Sequence, residues 1–309
     1  MPGVNTMRNQ FSAGIERIAR HDERVVFITG DLGYNALENL QISMGPRFIN
    51  AGVAEQNMVG VAAGMAYKGY KVFCYSIAPF AVYRCLEQFR NDVCLHNMPV
   101  FMVGNGGGYG YGIMGSTHHA IEDLACLSSL QNINAFVPAF ADEVEPMLDQ
   151  IVAHAGPAYL RLGYGPNTPA GAETLGSFKH IVRAEKGRFV GSIVALGPVA
   201  TNVLKALEDS RLSDRFDLFT ATNLPLDLPV SLARHFAGKP LMVVEEHVSV
   251  GGLGQQLSVK LLEAGMGPGR FMSLTAQGYP NGLYGSQAYH QQQSGLDAEN
   301  IAACLSELI

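Results

Sequence analysis

The 309-residue sequence predicts an α/β protein of two consecutive domains, each a mainly parallel sheet layered between helices. Three observations carry that reading. Short apolar runs alternate with segments of helical period along the whole chain. Thirty-five glycines exceed the usual share, as in chains rich in tight strand–helix turns. The texture also breaks once, in "GYGPNTPAGAETLGS" (163–177), which has glycines and prolines but no apolar period and reads as a linker. With 48% hydrophobic and 16% charged residues, such a chain has enough apolar surface for two cores.

In chain order, "RVVFITG" (24–30), "KVFCYSI" (71–77), "PVFMVGN" (99–105) and "NAFVPA" (134–139) are the buried strands of the first domain. Helices fall between them, at about 54–67, 81–95 and 119–130. In the third, Ile121, Leu124, Ala125 and Ser128 share a face at the i, i+3, i+4, i+7 spacing. Beyond the linker come "SIVALG" (192–197), "LMVVEEH" (241–247) and "RFMSLTA" (270–276), then a closing helix near 296–308 with Ile301, Leu305 and Leu308 inward. The domains are accordingly placed at 1–165 and 178–309.

Several function classes are disfavoured. A net charge of −6 without a Lys/Arg cluster argues against a nucleic-acid surface. No apolar run reaches the roughly 18 residues a membrane span needs, and the N-terminus lacks a signal pattern. Five cysteines without C-x-x-C spacing read as reduced core thiols of a cytoplasmic protein. Small molecules and other protein chains remain as partners.

Two stretches could carry chemistry. The loop "GNGGGYGYGIMGSTHHAIEDL" (104–124) contains G-x-G-x-x-G at Gly110, Gly112 and Gly115, a dinucleotide pattern. Its context fails, because the following strand ends in no acid for a ribose and no Lys-Ser/Thr forms a P-loop. His118 and His119 have no carboxylate or cysteine spaced to complete a metal site. The second stretch is "AGVAEQNMVGVAAGMAYKG" (51–69), apolar on nearly every side and so expected to be buried, its glycines admitting close backbone approach. Glu55 near its start is either an acid favoured by the helix dipole or a proton-transfer carboxyl in an apolar site, and the residues alone leave both open.

"GDLG", "AGVAEQNMVGVAAGMA", "YSIAPFAVYR" and "GSTHHAIEDLA", in this order and spacing, resemble the pyrimidine-binding domain of the transketolase family of thiamine-diphosphate enzymes. "SIVALGPVATNVLKALE", "VVEEHVSVGGLGQQL" and "YGSQAYHQQQSGLDAENI" resemble the family's C-terminal domain, so the likeness spans the chain. It implies that Glu55 hydrogen-bonds N1′ of the cofactor's aminopyrimidine, letting the cofactor's own amino nitrogen deprotonate its reactive carbon. It implies that Phe80, Tyr83 and Ile77 border the pyrimidine and that Asp31 lies near the cofactor; for Asp31 a plain turn role stands beside this. Phe80 and Tyr83 equally begin an amphipathic helix with Leu86, Phe89 and Val93. The glycine loop is expected to present His118 to substrate hydroxyls, with His119 a helix-start residue, so the loop serves a substrate and not a nucleotide phosphate.

The family's diphosphate and Mg2+ site belongs to a separate domain with a G-D-G motif, which this sequence lacks. The resemblance therefore implies a separate diphosphate-binding subunit, a two-plus-two heterotetramer, and metal ligands on that partner. Sugars or sugar phosphates are the implied substrates. Met114 stands where the family usually has an aspartate for a sugar hydroxyl, and Tyr164 where it has an arginine for phosphate. Arg161 lies three residues before Tyr164, where it reads as structural. Arg8 matches another phosphate-binding arginine, so one anion contact survives. Transfer of a two-carbon ketol unit is the first reading. The beta subunit of a 2-oxoacid dehydrogenase and a non-catalytic scaffold paralogue are the alternatives.

Overall fold

The computed structural model describes residues 6–32, 37–154 and 156–309; the second glycine of "GDLG", at 33, lies outside them. The first domain contributes six parallel strands: β1 (Val25–Thr29), β2 (Phe48–Asn50), β3 (Lys71–Ile77), β4 (Val100–Asn105), β5 (Asn134–Phe136) and β6 (Ala158–Leu162). The second contains β7 (Glu173–Leu175), β8 (Phe178–Val182), β9 (Gly191–Leu196), β10 (Phe216–Ala221), β11 (Asn223–Leu224), β12 (Pro240–Glu245) and β13 (Arg270–Thr275). Two sheets result, ordered β11-β5-β6-β4-β3-β1-β2 and β13-β12-β9-β10-β8-β7. In the second, β13, β12, β9 and β10 are parallel, while β8 and β7 form an antiparallel edge.

The sheets form because apolar side chains stack in register. Phe48, Phe27, Phe73 and Phe101 are cross-strand neighbours on one face; Ile49, Ile28, Cys74 and Met102 follow one position on, on the other. Helices Met7–His21, Glu38–Met44 and Val144–Ala153 cover the phenylalanine face. Helices Glu55–Tyr67 and Asp123–Ser128 cover the opposite one. The second sheet is likewise covered on both faces. Helices Ala200–Asp209 and Ala298–Glu307 pack on one side, and Val230–Phe236 with Leu253–Glu263 on the other.

Four features differ from the sequence reading. The stretch read as linker contains β7, an exposed strand paired with β8 through a tight turn at Gly176. β11 leaves the second domain to pair antiparallel with β5, so the first sheet gains an edge strand from far along the chain. The helix expected at 81–95 is three pieces, Ala78–Val82, Leu86–Gln88 and a π-turn at Phe89–Cys94. Cys85, with φ −117° and ψ 20°, interrupts it. Helix Glu55–Tyr67 is buried on one side only: Gln56, Asn57, Gly60, Val61, Gly64 and Tyr67 are exposed.

β4 packs closely where it passes Tyr159. A Cβ at Gly104 would lie 2.5 Å from the Tyr159 hydroxyl and 3.0 Å from Ala78 Cα. Gly104→Ala is expected to lower stability by about 1–3 kcal/mol, read from the urea midpoint. A wild-type midpoint would contradict this packing.

Candidate functional site

The carboxyl ends of β1, β3, β4 and β6 converge, which is where open parallel sheets place ligand sites. Glu55, the first residue of its helix, is 4% exposed beneath these strand ends. Its Oε1 accepts a hydrogen bond from Ser76 Oγ at 3.1 Å, and Arg84 Nη1 reaches Oε2 at 3.2 Å. The helix N-terminus further favours negative charge here. A Cβ on Gly30 would come 3.4 Å from Glu55 Oε1, so a bare backbone beside the carboxyl is built in. Arg84 keeps its head half-exposed, with the guanidinium carbon 3.9 Å from the Phe80 ring centroid. Sequence reading passed over Arg84. Its signal is the "YR" that ends "YSIAPFAVYR", one residue past an expected ring wall.

The wall itself is assembled by the broken helix. Ile77 closes β3 and is buried, while Phe80 and Tyr83 are half-buried. The Tyr83 hydroxyl donates to Glu122 Oε2 at 3.1 Å and accepts from Glu122 N–H at 3.2 Å, fastening the wall to the next loop. Burial pushes that hydroxyl's pKa well above the ordinary range. His118 lies edge-on to Phe80 with ring centroids 5.1 Å apart and 5.9 Å from Tyr111. Glu55, Arg84, Phe80 and His118 thus form one continuous patch. Asp31, at φ 58°, sits on the rim after β1 and accepts from Asn50 Nδ2 at 2.9 Å. Met114 and Tyr164 are exposed at 55% and 56%. Arg8, in the first helix, places its charge near the Tyr75 and Tyr111 hydroxyls. Arg161 is buried against Asp123, as a structural reading would have it.

His119 is not a helix-start residue; the helix begins at Asp123. Its ring is buried, with Nε2 donating to Gly112 O at 2.8 Å and Nδ1 accepting from the Tyr279 hydroxyl at 2.9 Å. It stacks on Tyr279 and meets Tyr109 and His290 edge-on, tying the glycine loop to the second domain. The two neighbouring histidines therefore do different things, because His118 is half-buried beside the Phe80 ring while His119 is buried in the interior.

Burial lowers the His119 pKa from 6.5 to about 4. Below pH 6.5 the unfolded chain takes up a proton that the folded ring refuses, so stability falls as pH drops from 6.5 through 4. His119→Gln keeps a donor and an acceptor without that titration. Its loss of stability between pH 7 and pH 5 is expected to be smaller than wild type by about 2 kcal/mol in chemical denaturation. Equal losses would show that the ring titrates freely.

The transketolase pyrimidine-binding domain family matches residues 5–165. A 1-deoxy-D-xylulose-5-phosphate synthase from Geobacter sulfurreducens is 32% identical over 99% of this chain but only 49% of the synthase, so the chain spans about half that relative's length. One of the subunits of an apulose-4-phosphate transketolase from Actinobacillus succinogenes is 30% identical over 82% of each chain. Among solved structures, a split-gene transketolase crystallised as an inactive beta4 tetramer superposes with a TM-score of 0.81 at 25% identity, covering 99% of this chain and 98% of that one.

Proposed function

The chain belongs to the transketolase family, and from that premise we propose that it is the pyrimidine-binding subunit of a two-subunit transketolase-type enzyme. It would move a two-carbon ketol unit from a ketose to an aldose once a diphosphate-binding subunit has docked. The observation that carries this reading is Glu55, a buried carboxylate at a helix start, held on one oxygen by Ser76 and covered on the other by a half-exposed arginine beside an aromatic wall.

These residues fit an aminopyrimidine. Ile77 and Phe80 offer apolar and aromatic surface for a flat heterocycle, and the bare backbone at Gly30 leaves the carboxyl approachable. When bound, thiamine diphosphate supplies the nucleophilic carbon that takes up and hands on the two-carbon unit. Ser76 fixes Oε1, which leaves Oε2 as the atom to hold a proton against a ring nitrogen. Arg84 reaches Oε2 from a half-exposed position, and its head keeps the Phe80 face if a ring nitrogen takes that oxygen. The low dielectric around Glu55 strengthens a hydrogen bond made there. His118, with Nδ1 on Thr117 Oγ1 at 2.9 Å, presents Nε2 as the nitrogen for a substrate hydroxyl. Mg2+ and diphosphate ligands would come from the partner, and the free thiols suit a reducing cytoplasm.

The second support is the exposed face of the Glu55 helix. Nothing lies within 4 Å of a Cβ placed on Gly60 or Gly64, and Val53 and Val61 beside them are 74% and 43% exposed. Bare backbone flanked by exposed valines, with the Gln56 and Asn57 amides at the start of the face, suits close approach by another chain's helix next to the residue that would touch the cofactor. A two-plus-two assembly would bury it twice. The solved relative described as an inactive beta4 tetramer fits a chain that holds half a site.

Calorimetric titration of thiamine diphosphate with Mg2+ tests the reading directly. Binding is expected for the chain mixed with its diphosphate-binding partner and absent for the chain alone. Glu55→Ala should weaken binding by at least about 30-fold, the loss of a charge-assisted hydrogen bond with its buried site. Gly64→Leu should stop the two chains associating while leaving this one folded. Cofactor binding by the isolated chain would sink the divided site, and a mixture that binds none would sink the catalytic reading.

The substrate side carries its own expectation. Met114 offers a sugar hydroxyl only a weak thioether acceptor and Tyr164 cannot neutralise a phosphate, whereas Arg8 can hold one anion. The acceptor is accordingly not a standard pentose phosphate bound in the usual way. Turnover of xylulose 5-phosphate with ribose 5-phosphate should fall at least about 100-fold below the enzyme's best pair, and comparable rates would refute this.

A further inference from the structure

The second domain meets the loop that carries His118 at the end of β12, where Glu245, Glu246 and His247 are each tied to a different element. Glu245 accepts from the Leu253 and Gly254 N–H groups at 2.7 and 2.9 Å and so caps its own domain's helix. Glu246 reaches into the first domain, where Oε1 accepts from the Tyr109 N–H; Gln287 donates to both of its oxygens at 3.0 and 3.2 Å, and Gln291 to Oε2. His247 Nε2 accepts from the Ala125 N–H at 3.2 Å, behind the loop's far end.

The same end of the loop is also fastened from below. Arg161, on β6, donates to Asp123 Oδ2 at 2.9 Å, to Ala120 O, and to Glu246 O at 3.2 Å. Tyr159 adds a second bond to Asp123 Oδ2 at 2.7 Å. Gly108 and Ala120 exchange N–H···O bonds of 2.9 Å in both directions, closing the loop's neck between these two anchors. A Cβ on Gly108 would collide with the Glu246 carboxyl, and one on Gly107 with the Arg161 side chain. Glycine is needed at the neck so that a carboxylate and a guanidinium can reach it. Between neck and tip, Ile113, Met114, Ser116 and Thr117 stay exposed and His118 is half-buried.

A segment this rich in glycine has a large conformational entropy to lose, and the tight-turn hydrogen bonds within it, such as Gly110 N–H to Gly107 O and Met114 N–H to Tyr111 O, shape it without fixing where it sits against the sheet. We propose that Glu246 and Arg161 are positioning residues that set the loop from Gly107 to Ala120, so that the second domain determines where His118 meets the substrate. This rests on His118 being the substrate contact in the function proposed above, whereas the anchoring itself does not. Neither residue touches the patch around Glu55. Loosening the anchor should therefore act on the sugar and spare the cofactor.

Hydrogen–deuterium exchange on the full chain reads the anchor without reference to catalysis. Glu246→Gln turns one acceptor oxygen into an amide that faces the Gln291 amide, so exchange across 107–120 should rise about 10- to 100-fold while peptides of β3 and β4 keep wild-type protection. The swap E246Q/Q291E restores a complementary pair, since the carboxylate then at position 291 can accept from the amide at position 246 and still accept from Asn202. It should recover most of the protection. In the assembled enzyme the single variant should raise KM for the sugar by about 10- to 100-fold with thiamine-diphosphate affinity unchanged, and the swap should reverse that. If Glu246→Gln does not fold, Gln287→Ala at a half-buried position removes two of the same bonds and carries the same comparison.

Unchanged exchange in the single variant overturns the anchor, as does a swap no better than the single. A loosened and rescued loop in an assembly without ketol transfer, wild type included, upholds the anchor and discards the function reading. Loss of thiamine-diphosphate affinity together with sugar affinity would mean that Glu246 supports the whole site and not this loop.

Discussion

The buried ion pair between Arg161 and Asp123 is the contact on which the remaining arrangement hangs. Asp123 is 0% exposed and Arg161 4%, so both charges are withdrawn from water at a cost of several kcal/mol each. That cost is tolerable because the guanidinium also meets two carbonyls and the carboxylate also takes the Tyr159 hydroxyl. Removing one partner would strand the other charge, which in buried pairs costs about 3–5 kcal/mol. Such a pair contributes little net stability but admits few geometries. It joins β6, the first residue of helix Asp123–Ser128 and the loop neck at Ala120, and through the Glu246 carbonyl it reaches the second domain. The domains also share a continuous apolar cluster, and further polar contacts such as His119–Tyr279 and Ala125–His247 join them beside this pair.

What the sequence made legible follows from which forces are local. Strand runs such as "KVFCYSI" are dense in β-branched and aromatic residues, and β3 spans the same residues, because burial on both faces needs no distant information. β11 is two residues long and exists only because β5 offers an open edge, which nothing in "ATNLP" announces. The helix read at 81–95 has a good apolar period, but Phe80, Tyr83 and Arg84 have partners in three directions, and the break at Cys85 lets all three be met. Tertiary contacts overrode periodicity there.

The site was legible to the extent that its residues sit in short ordered motifs. Glu55, Ile77, Phe80 and His118 fall together, whereas Arg84, Glu246 and the true placement of His119 depend on contacts between segments distant in sequence. The glycine loop shows why a motif in isolation misleads. The glycines that spell a phosphate cradle, Gly110, Gly112 and Gly115, instead make room for the Gly106 backbone, the Gly285–Gln287 segment and the Tyr284 ring, a need that leaves the same trace in the sequence.

The partly exposed Glu55 helix and the anchored loop make sense together if the site is divided between subunits. A helix apolar all round reads as buried, and in one chain it is buried on one side only. Its glycines face solvent at Gly60 and Gly64, where they add nothing to this chain's packing and lower its helix propensity. On the divided-site reading, that cost is met by an interaction with the partner subunit. The loop that carries His118 has the opposite character, since anchors from both domains of this chain already hold it. The cofactor-facing wall would then be completed by association, while the arm that reaches the sugar is set beforehand by the second domain. With the arm already ordered, docking need not spend binding energy on fixing it, and assembly and substrate positioning can vary independently across relatives.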